Sequence, residues 1–265
     1  MAVNIIVLAK QVPDPEGPPT SFEVNTEERR VTARGIPPVI NPFDENALEA
    51  AIRIKEGQGG KITLLTLGSG ISKAVILKAV AAGADESFLV EGDEFDAPLL
   101  DSSASAHLLA AAVKKIGEYD LILSGRQASD TNAGQVGIGL AQLLDIPAVT
   151  VAQKVEVSDG KVIVEKVMPD GYEVVEAPLP ALVTVSGEIG DLRYPSLQAI
   201  KAGKGLPQTI ISASDLDTDA SGLGLMETAA LVAPSRERSC TIIEAETPEE
   251  AGEKLAGKLR EDKVI

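Results

Sequence analysis

The sequence predicts an α/β fold built on a doubly wound, mostly parallel sheet of the Rossmann-like type, followed by a β-meander and an extended C-terminal tail. Three observations carry that prediction. Short apolar runs recur at Val3 to Ala9, Lys61 to Leu67, Ser87 to Val90 and in the stretch YDLILSG, as expected of strands buried on both faces. Helical stretches long enough to serve as crossover connections separate them. Beyond residue 148 the pattern changes to alternation punctuated by Asp159-Gly160, a hairpin turn signal.

Taken in order, the first run ends at Lys10 and opens into the Pro-rich loop QVPDPEGPP. The stretch FEVNTEERRVTARGIPPVIN reads as a small hairpin and turn. Asn41 and Pro42 then open a helix whose apolar positions Ala47, Leu48, Ala51, Ile52 and Ile54 line one face, with Asn41 as its cap. A strand at Lys61 to Leu67 leads through Gly68-Ser69-Gly70 to a helix from Ile71 to Ala82, and a third strand to a helix from Ala97 to Gly117. After the fourth strand a helix from Ala133 to Leu144 precedes the meander runs Ala148 to Val157, Lys161 to Val167 and Tyr172 to Ala177. The segment ALVTVSG restores a buried strand. The reading divides the chain into an α/β domain over 1–190 and, over 191–265, a loop and extended arm of weaker order with a terminal helix.

Composition narrows the function classes. A formal net charge of −16 repels phosphate backbones and anionic lipid, so no nucleic-acid partner is expected. No apolar run is long enough to cross a bilayer and the start MAVNIIVLAKQ is too short for a secretory signal, so no membrane insertion and a cytoplasmic location are expected. The one cysteine, Cys240, rules out an internal disulfide or a cysteine-clustered metal site and is expected to be buried and inert. The one histidine, His107, lies in a helical stretch and is read as a surface or satisfied core residue, which leaves no histidine-built metal centre. With no Trp, three Tyr and four Phe, the chain has few rings to stack on a flavin or a nucleobase. There is no G-x-S-x-G elbow, no Walker loop and no G-x-G-x-x-G after the first strand. Binding is favoured over bond-making, and no catalytic or metal-ligating residue is assigned.

Three strand ends bring small and polar residues to the same sheet edge: Ala9-Lys10, Gly68-Ser69-Gly70, and SGRQASDTNAGQVG. In the last, Gly125 lets the chain leave its strand. Ala128, Ala133, Gly134 and Gly137 keep the loop small, and Asp130, Thr131 and Asn132 are read as caps of the next helix. Such a helix start suits a phosphate, and Arg126 adds a full charge beside it. A well-capped helix in a tight loop is the bland alternative. Asn41 to Asp44 would likewise point their N–H groups into the crevice.

These residues resemble a known family. The segments KQVPD, NPFDENALEAAIRIKE, GRQASD with TNAGQVG, and VEKVMPDGYEVVEAPLPALVTV follow the order found in the beta subunit of electron-transfer flavoproteins, across nearly the whole chain. Pro169 stands where the last motif usually has an acid. The resemblance implies an adenine-nucleotide-binding domain and a heterodimer with an alpha subunit that holds most of an FAD. The nucleotide, AMP or a second FAD, would contact Ala9, Asn41, Pro42, Phe43, Asp44, Leu67, Gly68, Gly125, Arg126, Gln127, Asp130, Thr131, Asn132, Ala133, Gly134, Gln135, Val136 and Gly137. The loop ASDTNAGQVG has neither the acid-rich form of the AMP-containing carriers nor the GDTAQVG of the electron-bifurcating members, and AMP is the reading favoured. The resemblance also implies docking to acyl-CoA dehydrogenase-type flavoenzymes through RYPSLQAIKAGKG, with Leu197 as anchor, Ile200 beside it and Lys201 and Lys204 on the rim.

Two rival readings are a flavin-free, adenine-nucleotide-binding stress-type module and an ATP-activating enzyme on the same fold. The meander and the long tail argue against the first, and QVPDPEGPP lacks the phosphate loop the second needs.

Overall fold

The computed structural model describes residues 2–95, 101–216, 218, 222–226, 229–232 and 240–265. In chain order the elements are β1 (Val3–Leu8), β2 (Gln11–Pro13), β3 (Phe22–Asn25), β4 (Arg30–Ala33), β5 (Pro38–Ile40), α1 (Pro42–Gln58), β6 (Gly60–Gly68), α2 (Lys73–Ala82) and β7 (Glu86–Glu91). There follow α3 (Ser102–Ile116), β8 (Leu121–Gly125), α4 (Val136–Leu144), β9 (Ala148–Ser158), β10 (Lys161–Met168), β11 (Gly171–Pro178), β12 (Ala181–Val185), α5 (Leu197–Gly203), β13 (Gln208–Ile211) and α6 (Pro248–Glu261).

Nine strands form one sheet in the order β11-β10-β9-β12-β8-β1-β6-β7-β13. From β9 to β13 every neighbouring pair is parallel, and only the β9-β10-β11 meander is antiparallel. The central strands alternate their side chains between two apolar layers, which is why they read as continuous hydrophobic runs. Ile5, Val7, Ile62 and Leu64 pack with α1 and α2, whereas Ile6, Leu8, Leu65 and Ile122 pack with α3 and α4. The predicted doubly wound α/β sheet is therefore the fold observed.

Several expectations need correction. Gln11–Pro13, expected as loop, pairs with Pro38–Ile40. The helix expected from Ala133 starts at Val136, because Asn132 (φ 52) and Gly134 (φ 63) take left-handed backbone conformations that a helix cannot continue. Residues 97–100, expected to open a helix, fall outside the described residues, and α3 is described from Ser102. The stretch after Asp191 contributes α5 and an edge strand, β13, which pairs with β7. Cys240 is exposed rather than buried. His107 is half-buried, its Nδ1 lying 2.9 Å from the Ser103 carbonyl oxygen, as a satisfied helix residue should be.

The chain separates into two compact units, 1–231 and 232–265. In the second, Thr247 caps α6 by accepting the Glu250 N–H at 3.2 Å, and the Glu250 carboxylate reaches back to the Glu246 N–H. None of the α6 residues is buried. No helix among the described residues is long and apolar enough to cross a membrane.

Candidate functional site

Strand order reverses at the centre of the sheet. From β1 the chain runs outward through β6 and β7, then crosses back by α3 to place β8 on the other side of β1. Helices on either side of such a switch point diverge, so a crevice opens beyond the C-terminal ends of β1 and β8. Ala9, Leu67 with Gly68, and Gly125 end three adjacent strands at this rim. Ala9 is buried and its N–H donates to the Leu65 carbonyl at 2.9 Å.

Helix α1 enters the rim through Asn41 and Asp44, both buried. Asn41 does not cap its own helix with its side chain, contrary to the local reading. Its Nδ2 donates to the Gln127 carbonyl at 2.8 Å, while its Oδ1 accepts the Ser129 N–H at 3.0 Å, so the amide ties the loop after β8 to the start of α1. Asp44 performs the matching task on the strand ends. It accepts the Lys10 N–H at 2.7 Å on one oxygen and the Gly125 N–H at 2.9 Å on the other. Burial pushes its carboxyl up to about 6 from 3.8, against the lowering effect of those two N–H donors, of Asn41 and of the Lys10 charge.

Gly125 is required by this approach. A Cβ there would stand 2.5 Å from Asp44 Oδ1 and 2.6 Å from Phe43 Cβ. Beyond it Arg126 lies over the Phe43 ring, 4.8 Å from its centre, and its N–H donates to the Val185 carbonyl. Asp130, Thr131 and Asn132 do not cap α4, whose N-cap residue is Gln135 and whose first turn receives no side-chain bond from it. Instead Asp130 pairs with Lys10 Nζ at 2.7 Å, and Asn132 Oδ1 accepts from Gln127 Nε2 at 3.0 Å. Ala133 and Gln135 are exposed, and Gly134, Val136 and Gly137 are partly covered. Pro42, the first residue of α1, is exposed.

The rim therefore holds an uncapped helix start, a guanidinium and a loop of small residues. Four buried polar atoms nearby have no hydrogen-bond partner among the described residues: Thr66 Oγ1 on β6, Ser124 Oγ on β8, and Arg126 Nε and Ser129 Oγ in the loop. Unsatisfied buried donors are expensive in a protein interior unless a ligand or water answers them. Sequence reading missed Thr66 and Ser124, which look like ordinary strand residues, and Ser129, whose place beside Asn41 depends on the fold. The donors present, backbone N–H groups, hydroxyls and a guanidinium, suit a phosphate ester.

Leu197 and Ile200 are not brought to this rim. They sit on α5, which packs against α2, with Leu197 80% exposed and Ile200 half-buried. Tyr194, just ahead of the helix, is 99% exposed and was not singled out from sequence.

A family model described as the electron transfer flavoprotein domain matches residues 30–215, a span that includes the Asn41 to Asp44 turn, the loop after β8 and α5. The chain belongs to the electron transfer flavoprotein beta-subunit family. It is 38% identical over 262 residues to the electron transfer flavoprotein subunit beta of Thermoanaerobacterium thermosaccharolyticum, covering 98% of this chain and 94% of the relative. It is 35% identical to the caffeyl-CoA reductase-Etf complex subunit CarD of Acetobacterium woodii, covering 99% and 100% of the two chains. With the protein FixA of Azotobacter vinelandii it shares 33% identity, over 74% of this chain and 69% of the relative.

Proposed function

We propose that the chain is the beta subunit of a heterodimeric electron-transfer flavoprotein, working in the cytoplasm, whose rim binds the phosphate of an adenine nucleotide. FAD, shared with an alpha subunit, supplies the redox chemistry. This chain's residues would bind and orient: Arg126, Ser129 and the N–H groups at the start of α4 hold the phosphate, while Asn41 and Asp44 keep the two sides of the crevice together. Arg126 Nε and Ser129 Oγ are the observation that carries the reading, since both are buried without a partner beside an uncapped helix start. AMP is the occupant favoured.

The electron path would run between acyl-CoA dehydrogenase-type flavoenzymes and an acceptor such as a quinone reductase or ferredoxin, with Leu197 as the docking anchor and Ile200 at its edge. An exposed apolar anchor suits an encounter that must also release. The resemblance also allows a second reading, that of its electron-bifurcating members, in which a second FAD would fill the rim and NADH would be oxidised there. Mass spectrometry and flavin counting on the nucleotides released from the purified heterodimer test both. One AMP with one FAD supports the first reading, two FAD the second, and no adenine compound beyond the shared FAD overturns the rim assignment.

A further inference from the structure

The segment between β12 and α5 is fastened along α1 from Asn46 to Glu56. Asn46 Nδ2 donates to the Gly190 carbonyl at 2.7 Å and Arg53 Nη1 to the Ile189 carbonyl at 2.8 Å. Ile189 and Leu192 are buried between these ties. The last tie is the densest. Glu49 accepts the Arg193 N–H at 3.2 Å, Arg193 Nε at 3.0 Å and Nη2 at 3.0 Å, and Arg53 Nε at 2.9 Å. Arg193 also reaches Glu56, through Nη1 and, at 3.1 Å, through Nη2.

Tyr194 follows immediately and is bare to solvent, as is Leu197. The far end of the segment is fastened too. A Cβ on Gly203 would meet Leu77, Val80 and the Ala81 nitrogen at 3.3 to 3.4 Å, so the end of α5 lies close on α2. The exposed pair is thus carried on a short bridge fixed at both ends, and a guanidinium fork on two carboxylates fixes its entrance in direction as well as position.

We propose that Arg193, held by Glu49, is a positioning residue: the pair presents Tyr194 and Leu197 in one orientation to an incoming flavoenzyme, and the strength of that encounter depends on it. The inference rests on the docking reading given above and deepens it. A recognition loop already ordered in its bound geometry loses less freedom on docking, so loosening its entrance weakens association and leaves later steps alone.

The test uses the heterodimer and an acyl-CoA dehydrogenase as the probe, reading KM and kcat for the dehydrogenase together with amide exchange over residues 194–203. Arg193→Met is expected to raise KM on the order of tenfold while kcat stays within about twofold, and to speed exchange in that segment. Arg193→Lys, which keeps the charge and loses the fork, falls between that variant and wild type. Because Arg193→Met leaves the Glu49 carboxylate buried with less compensation, the charges are also removed together as Glu49→Gln with Arg193→Gln. The same rise in KM is expected there. Adding Leu197→Ala to Arg193→Met should then raise KM less than Leu197→Ala does in wild type.

Leu197→Ala separates the two ideas. If it leaves KM unchanged, or the dehydrogenase does not reduce the wild-type heterodimer, docking through this loop fails and the positioning role fails with it. If Leu197→Ala weakens docking while Arg193→Met and the paired variant keep wild-type KM and exchange, the positioning role alone is overturned.

Discussion

Asp44 and Glu49 lie on the same helix and are equally hidden, 7% and 4% exposed, yet their carboxyls move in opposite directions. Burial raises both, more strongly at Asp44, which lies deeper, and the partners set the balance at each. Asp44 is answered by two backbone N–H groups and the Asn41 side chain, with Lys10 engaged on Asp130, and it rises to about 6. Glu49 is answered by the Arg193 side chain and backbone and by Arg53, which outweigh burial and hold it below the usual range. Dipoles close the rim with a carboxylate that is held at a penalty, whereas full charges fasten the segment before α5 with one that is not. The rim end of α1 is therefore the strained part, and its middle is the anchor.

This contrast has opposite signs in pH. Between 3.8 and about 6, folded Asp44 keeps a proton that the unfolded chain has released. Its contribution to stability is full below the lower value and is lost as pH rises through the upper one. Glu49 contributes stability present above its ordinary value, lost as pH falls through its depressed one. Asp44→Asn tests the first half. From pH 4 to 7, urea melts should show the variant gaining on wild type by about 2 kcal/mol, the free energy of a little under two pH units. A constant difference across that range would show that Asp44 ionises freely.

Glu49→Ala should be the next largest effect, with about 2 kcal/mol lost at pH 7. That is less than breaking a fully buried pair costs, because Arg193 and Arg53 still reach solvent. The loss should shrink as acid protonates Glu49 in wild type, so chemical denaturation at pH 3.5 and pH 7 checks both size and sign. Gly125→Ala follows, at about 1–2 kcal/mol, since the added methyl must displace Asp44 or Phe43. Its nucleotide content should fall by more than its stability does, measurable in the purified heterodimer.

The start and the middle of α1 also differ in how far sequence revealed them. The rim strands were legible because burial on both faces leaves continuous apolar runs, as in VNIIVLA, and small residues marked the loop after β8. Asn41 was legible as a helix opener but not as a cross-tie, because its partners Gln127 and Ser129 stand more than eighty residues away. Arg193 and Glu49 are separated by 144 residues, and each alone reads as a solvated charge. β13 went unnoticed because only Ile211 of its four residues is buried, which gives no periodicity to read. Long-range polar pairing leaves no local pattern, and in this chain the tie between α1 and the segment before α5 is built from it.

Lys10 offers the finest test of the contrast. Its ammonium pairs with Asp130 at 2.7 Å with both side chains partly in solvent, so Lys10→Met should cost less than about 1 kcal/mol. The Lys10 N–H still reaches Asp44 in that variant, and only the favourable charge is withdrawn. Asp44 should consequently titrate above its wild-type value of about 6, followed by carbonyl-carbon NMR of the labelled aspartate. High salt should mimic the change in wild type and leave the variant unmoved, because a partly exposed charge is screened and a backbone dipole in contact is not. An unshifted titration would mean that Lys10 acts at the rim only through its backbone, which would make the dipole character of that end complete.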